Sequence, residues 1–283
     1  MGGQKVARGN RIEYYGAYYH VIQRGVNQEH IFQNPGDKSH LLEILSDSKE
    51  QYDFKLFAYV IMDNHYHLLI QTLNIPISKI MHQVNMKYAI YYNTKYERVG
   101  HVFENRYKGI LVQDDTYFIT LIKYIHNNPV AAGICNSMEE YKWSSDLFYR
   151  INIGNMVDID EVLNMFSSNR LKAIERYIEL MEEDNIDQEI MVELYENSDI
   201  IGTDEFIRKI TMGEGAKESL DEILLKTCSN PQDFELIKSG SRLRYLTEYK
   251  KEYIYLAQET GYNNVDIGRN IGITSQAVQN LIK

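Results

Sequence analysis

The stretch Lys55-Leu-Phe-Ala-Tyr-Val-Ile-Met-Asp-Asn-His-Tyr-His-Leu-Leu-Ile-Gln-Thr72 decides the fold. Lys55 to Met62 is rich in β-branched and aromatic residues and reads as a strand, and His65 to Thr72 reads as a second. Asp63-Asn64 between them is turn-like, which predicts a β-hairpin. Side chains alternate along a strand, so His65 and His67 share one face while Tyr66 and Leu68 take the other. Two neutral imidazoles so placed can share a divalent cation when another element adds a third ligand. For the pair alone, two histidines on the wet face of a sheet is the plainer reading.

Working outward, Tyr18 to Arg24 alternates and predicts a strand ended by Gly25. Asp37 to about Tyr52 has helical spacing, with Asp37 or Ser39 as its cap, and Pro76 precedes a long helix from about Ile77 to Tyr96. Arg106 to Val112 reads as a further strand. Asp114-Asp115-Thr116 then opens a helix with carboxylates at its positive end, and Pro129 bounds that helix, because the residue before a proline is pushed from helical angles. Strands mixed with helices and no repeating βαβ unit predict an α+β layer for residues 1–150. Ile151 to Asn155 is the best linker. Beyond it residues 151–240 read as acidic amphipathic helices. Residues 241–283 read as a helix from about Arg242 to Thr260 and two short helices around Ile271-Gly-Ile273, the last capped by Thr274 or Ser275.

At 283 residues the chain is long enough for two domains. Hydrophobic content of 44%, charged content of 25% and a mean hydropathy of -0.41 exclude a disordered chain. The absence of an 18-residue apolar run or a secretory signal leads us to expect no membrane. Cys135 and Cys228 lie far apart without metal or redox spacing, which fits a reducing, cytoplasmic setting. The net charge of -10 argues against nucleic acid only until it is divided: residues 1–150 carry +1, 151–240 carry -13 and 241–283 carry +2. The acidic segment would repel DNA, and so is expected to face away from any nucleic-acid path or to dock on the basic flanks.

Three further stretches could carry chemistry. In Tyr124-Ile-His-Asn-Asn-Pro129, Tyr124 and Asn128 stand one helical turn apart, so a phenol lies beside an amide oxygen, although packing is the commoner role for a tyrosine. Gly261 to Lys283 has the size of a helix-turn-helix, with Thr274, Ser275, Gln276 and Gln279 placed to read base edges; an ordinary helical hairpin is the alternative. Arg98 to Lys108 mixes cations with aromatics, as a single-strand groove does. His20, His30, His82 and His101 have no evident pairing.

Taken together, Tyr19 to Asn27, Ala58 to Ile70, Gly100 to Lys108, Tyr124 to Gly133 and Trp143 to Ser145 resemble, in order, the single-tyrosine HUH transposases, most closely the REP-associated tyrosine transposases. The resemblance spans nearly all of residues 11–150. It implies an antiparallel sheet with helices on one face, a ferredoxin-like or RRM-like palm, followed by the helical extension and helix-turn-helix. It also implies His65 and His67 as metal ligands, completed by Asn128, with Mg²⁺ or Mn²⁺ as cofactor and Tyr124 as nucleophile. Attack on phosphorus would leave a 5′-phosphotyrosine and a free 3′-OH on single-stranded or hairpin DNA, with Arg24, Arg106 and Lys108 as DNA contacts. Asp63 stands where many members have proline, and the shorter relatives carry glutamine where this chain has Asn128. The alternative is a DNA-binding regulator that uses the helix-turn-helix on an inactive scaffold, and a third reading is an unrelated hydrolase using His65 and His67. Monomer and homodimer are both open.

Overall fold

The computed structural model describes residues 12–113, 116–183, 192–211, 218–241 and 243–282. The carboxylates expected to open a helix at Asp114 and Asp115 lie outside these residues, as does Arg242. Five strands form one sheet: β1 (Tyr18–Arg24), β2 (Lys55–Ile61), β3 (His65–Gln71), β4 (Lys108–Val112) and β5 (Ile200–Ile201), in the order β2-β3-β1-β4-β5. The first four pair antiparallel, with β2 and β3 as the expected hairpin, and β5 adds in parallel to β4. The register sets Arg24 opposite His65, Ile22 opposite His67 and His20 opposite Leu69. His20, His65 and His67 therefore share one face of the sheet.

The strands are buried on both faces, and helices cover both, where the expectation was cover on one. α1 (Pro35–Tyr52) and α2 (Ile77–Lys95) cover the face away from the histidines, where the Tyr66 hydroxyl donates to Asn85 on α2. On the histidine face α3 (Thr116–Ala131) packs Phe118 edge-on against Tyr18 and Phe57. The chain is thus α+β, with a mixed rather than purely antiparallel sheet.

α1 is capped one turn earlier than expected. Asn34 accepts from Gly36 and Asp37, with Pro35 in the first turn, and Asp37 completes the capping box. The Asp37 carboxylate also accepts the Tyr91 and Tyr96 hydroxyls and the Lys95 ammonium, which tie α2 to the start of α1. Pro129 does not end α3, which runs on to Ala131. A proline in the last turn removes only one hydrogen bond. The terminus is closed by Ile134 N–H donating to the Pro129 carbonyl and by Gly133 at a φ of 67°. Trp143 to Ser145 lies along β2, bonding Ile61 and Tyr59, and so covers an edge that would otherwise be open.

Two buried clusters divide the chain. The first runs from Ala17 to Ile210 and takes in Ile159, Leu163, Tyr177, Tyr195 and Ile201 from the acidic segment. The second, from Leu220 to Val278, joins the helix Leu220–Thr227 to Tyr253 and Ile254 of Thr247–Glu259 and to Ile267 and Val278 of the last two helices. The divide therefore falls between 210 and 220, not at the 150 and 240 expected from composition and charge. The last two helices, Asn264–Asn270 and Ser275–Leu281, approach so closely at Gly268 that a Cβ there would stand 2.6 Å from the Ile273 carbonyl oxygen. Among the described residues no helix is long and apolar enough to cross a membrane.

Candidate active site

β1, β3 and α3 bring His20, His65, His67 and Tyr124 together on the histidine face. The Tyr124 ring stands edge-on to His20 and His67, with ring centres 6.1 Å and 6.0 Å away. His20 and His67 are stacked at 5.1 Å and joined by a 2.8 Å bond between His20 Nε2 and His67 Nδ1. On its other side His20 Nδ1 lies 2.9 Å from the main-chain carbonyl of Tyr195.

This chain of contacts determines where the protons are. A carbonyl can only accept, so His20 Nδ1 carries a proton and donates it to Tyr195. Burial pulls the His20 pKa down to about 3, so the ring is neutral and its Nε2 must accept from His67 Nδ1–H. His67 is also held well below the usual imidazole value, by burial first and then by His20, His65 and Arg24. Its Nε2 is left as a bare lone pair, fully buried and without a hydrogen-bond partner. His65 behaves alike: Nδ1 donates to Asn64 Oδ1 at 2.6 Å, and burial followed by the Arg24 charge lowers its pKa to about 4. Both histidines thus present a neutral Nε2, the form a metal takes.

Opposite them is a residue the sequence reading did not single out. Glu196 lies in a π-helical turn, Glu193–Asn197, that the acidic segment lays across the end of the sheet before β5 pairs with β4. Its Oε1 accepts the Tyr124 hydroxyl at 2.7 Å and stands 4.0 Å from His67 Nε2, and its Oε2 is 3.7 Å from an Arg24 Nη2. Lys108 Nζ donates to the Glu196 main-chain oxygen. The acidic segment does dock on basic groups, but it does so inside the site and not away from it. Burial and then the Glu196 carboxylate push the Tyr124 phenol well above its ordinary value, so as it stands the hydroxyl is protonated.

The other expected site residues are distributed as follows. Asn128 turns its amide back along α3 and donates to the Tyr124 carbonyl at 2.9 Å. Arg24, Arg106 and Lys108 line one cleft of about 710 Å³ together with Glu196 and Asp199. Thr274, Ser275, Gln276 and Gln279 belong to the second cluster's last helix, where Thr274 serves as N-cap for Ala277 and Ser275, Gln276 and Gln279 are exposed. His20, Tyr195 and Glu196 were missed. The alternation of β1 places His20 opposite β3 only once the register is known, and nothing local marks Glu196 among so many glutamates.

Residues 13–128 match the family described as Transposase IS200 like. Over this block the chain is similar to the IS200-like transposases. The chain is also similar to a solved structure described as that of "the REP associates tyrosine transposase bound to a REP hairpin", at 14% identity and a TM-score of 0.45, over 55% of this chain and 90% of that one. Comparison with curated proteins gives no match. The matched residues include His20, His65, His67 and Tyr124, whereas Tyr195 and Glu196 lie beyond them.

Proposed function

We propose that the chain nicks and rejoins single-stranded or hairpin DNA through Tyr124, with a divalent cation at His65 and His67. The observation that carries this reading is the buried, unpaired Nε2 of His67, whose ring stands edge-on to that of Tyr124. An imidazole lone pair kept neutral and denied a donor fits a divalent-cation ligand in its donor chemistry, and Mg²⁺ or Mn²⁺ is the ion proposed. Such a cation supplies positive charge that polarises a phosphate oxygen and offsets the carboxylate beside the phenol.

The chain's own residues do the rest. Arg24, Arg106 and Lys108 draw the phosphate backbone into their shared cleft. α3 holds Tyr124 Oη at the histidine face, where it attacks phosphorus as its proton passes to its hydrogen-bond acceptor, the Glu196 carboxylate. The new Tyr–O–P bond forms as the P–O3′ bond breaks, and the departing 3′ oxygen takes a proton from water to leave as a hydroxyl. Attack by a 3′-OH on the phosphotyrosine reverses the electron flow and rejoins a strand without ATP. Ser275, Gln276 and Gln279, exposed on the last helix, are proposed to contact DNA bases outside the cleft, with Thr274 committed to its cap.

Covalent trapping tests the reading. Labelled hairpin DNA with Mn²⁺ should give a protein–DNA adduct on a denaturing gel, lost in Tyr124→Phe, in His65→Ala/His67→Ala and with EDTA. An adduct that survives Tyr124→Phe would refute the tyrosine mechanism. Binding without any adduct in the wild type would favour the regulator reading.

A further inference from the structure

We propose that Tyr177, supplied by the acidic segment, is a positioning residue for Tyr124: through His126 it sets the angle at which α3 presents the phenol, a role that rests on the nicking reading above.

Tyr124 and His126 leave α3 on opposite flanks. Residues two apart on a helix point about 200° from one another around its axis. Tyr124 faces the histidines, so His126 is directed away from them, and both side chains are buried. The other buried side chains of this helix include Phe118, Leu121, Ile122 and Ile125, which are apolar. Apolar packing has no preferred direction, whereas a hydrogen bond does.

On the His126 flank a buried polar chain supplies that direction. His126 Nε2 lies 2.7 Å from Ser145 Oγ, which accepts the main-chain N–H of Tyr59 in β2 at 2.9 Å. His126 Nδ1 lies 3.0 Å from the Tyr177 hydroxyl, which donates to Asp146 Oδ1 at 2.7 Å. Arg150 Nε in turn donates to Asp146 Oδ2 at 2.6 Å. Ser145, Asp146, His126 and Tyr177 are all buried. The imidazole is therefore gripped at both nitrogens, by the edge of the sheet on one side and by helix Arg170–Glu182 on the other. A ring held at two points resists rolling of the helix that carries it.

The effect of such a roll falls on Tyr124. At the roughly 6 Å radius that helical side chains reach, a roll of about 10° moves an atom by about 1 Å. A misplacement of about 1 Å can cost about a hundredfold in rate. The acidic segment thus holds both flanks of α3, with Glu196 at the Tyr124 hydroxyl and Tyr177 at His126.

Two phenols that lose the same atom provide the test. Tyr177→Phe removes the hydroxyl between His126 and Asp146. Tyr149→Phe removes the hydroxyl of the ring stacked on it at 4.7 Å, whose bond goes to the Phe57 carbonyl and not to α3. Adduct formation is followed in single turnover at saturating hairpin DNA, well below the melting temperature of every variant, and DNA affinity is measured in EDTA. The expected result for Tyr177→Phe is an at least tenfold slower rate with affinity changed less than twofold. Tyr149→Phe should change neither by twofold, and Tyr177→Phe added to His126→Gln should slow the reaction no further. An unchanged rate in Tyr177→Phe, an equal loss in Tyr149→Phe, or losses that multiply in the double variant overturn the proposal and leave the tyrosine mechanism standing. If the wild type gives no adduct, the nicking reading falls and hydrogen exchange decides the hold on α3. Protection of residues 121–128 should then drop at least tenfold in Tyr177→Phe with α2 unaltered, and unchanged protection overturns the proposal.

Discussion

The sheet block and the C-terminal helices bury polar side chains to different ends. In the helices Asn270 accepts the Tyr253 hydroxyl at 2.9 Å and donates to Asp221 at 2.7 Å, so its polar atoms are paired within the cluster. In the sheet block His126 is paired as fully, by Ser145 at 2.7 Å and by the Tyr177 hydroxyl at 3.0 Å. His67 is not. Among the described residues the buried side-chain atoms without partners are Ser48 Oγ, His67 Nε2, Gln71 Oε1 and Arg170 Nη1, all before the second cluster begins. Of these only His67 Nε2 faces an acidic side chain and the expected nucleophile. An unpaired buried atom is costly, so a protein that keeps one in such a place has a use for it.

The comparison is broken most directly by truncation. A chain ending at Arg150 leaves the first cluster without Ile159, Leu163, Tyr177, Tyr195 and Ile201, and strips Leu56 N–H of its Asp158 acceptor. Such a chain should lose cooperative unfolding and every DNA adduct. A chain ending at Thr211 keeps that cluster entire and should retain both. A sharp thermal transition in the shorter fragment would show that the acidic segment is not part of the first fold.

Acid separates the two regions next. His20 and His126 titrate near about 3 and about 4 when folded, against an ordinary 6.5, because burial disfavours the cation. Between pH 6.5 and 4 the unfolded chain binds protons that the folded block refuses, so the block loses stability as pH falls through that window. The slope reaches at most roughly 1.4 kcal/mol per pH unit for each such histidine. All eight histidines precede residue 127, so the C-terminal helices lack this source of acid sensitivity. Hydrogen exchange at pH 7 and pH 5, corrected for intrinsic rates, should show protection falling in β1, β3 and α3 and holding in Leu220–Thr227 and Thr247–Glu259. Equal loss in both regions would contradict it.

A smaller effect sharpens the contrast from the other side. Gly268→Ala places a methyl 2.6 Å from the Ile273 carbonyl oxygen and should cost about 1–3 kcal/mol in the C-terminal helices. Mn²⁺ affinity should be unchanged. A shift in metal binding would mean that the two clusters are coupled through their contact near Arg269 and Asp53, which stand 3.9 Å apart.

Much of the sheet block was legible because its signals are local. The hairpin follows from two β-rich runs around Asp63-Asn64, and the common face of His65 and His67 follows from a period of two. The helix carrying Tyr124 follows from its apolar stripe. Pro129 misled because its rule concerns an average helix interior, whereas here it sits in the last turn with Gly133 to close the end. The boundaries at 150 and 240 misled because composition and charge describe the solvent-facing side of helices, while a domain is divided by what those helices bury.

The sequence by itself determined the strands and helices of residues 18–131, the pairing of His65 with His67, and the family resemblance that rests on them. Those are properties of neighbours in the chain, set by backbone sterics and side-chain alternation. Tertiary structure alone decided that His20 stands behind His67, that a carbonyl at residue 195 chooses the imidazole's proton, and that Glu196 comes to rest on Tyr124. These contacts join residues 47, 175 and 72 positions apart. No local preference encodes them, because they exist only when β-sheet register and the packing of the acidic segment bring distant chain onto one face.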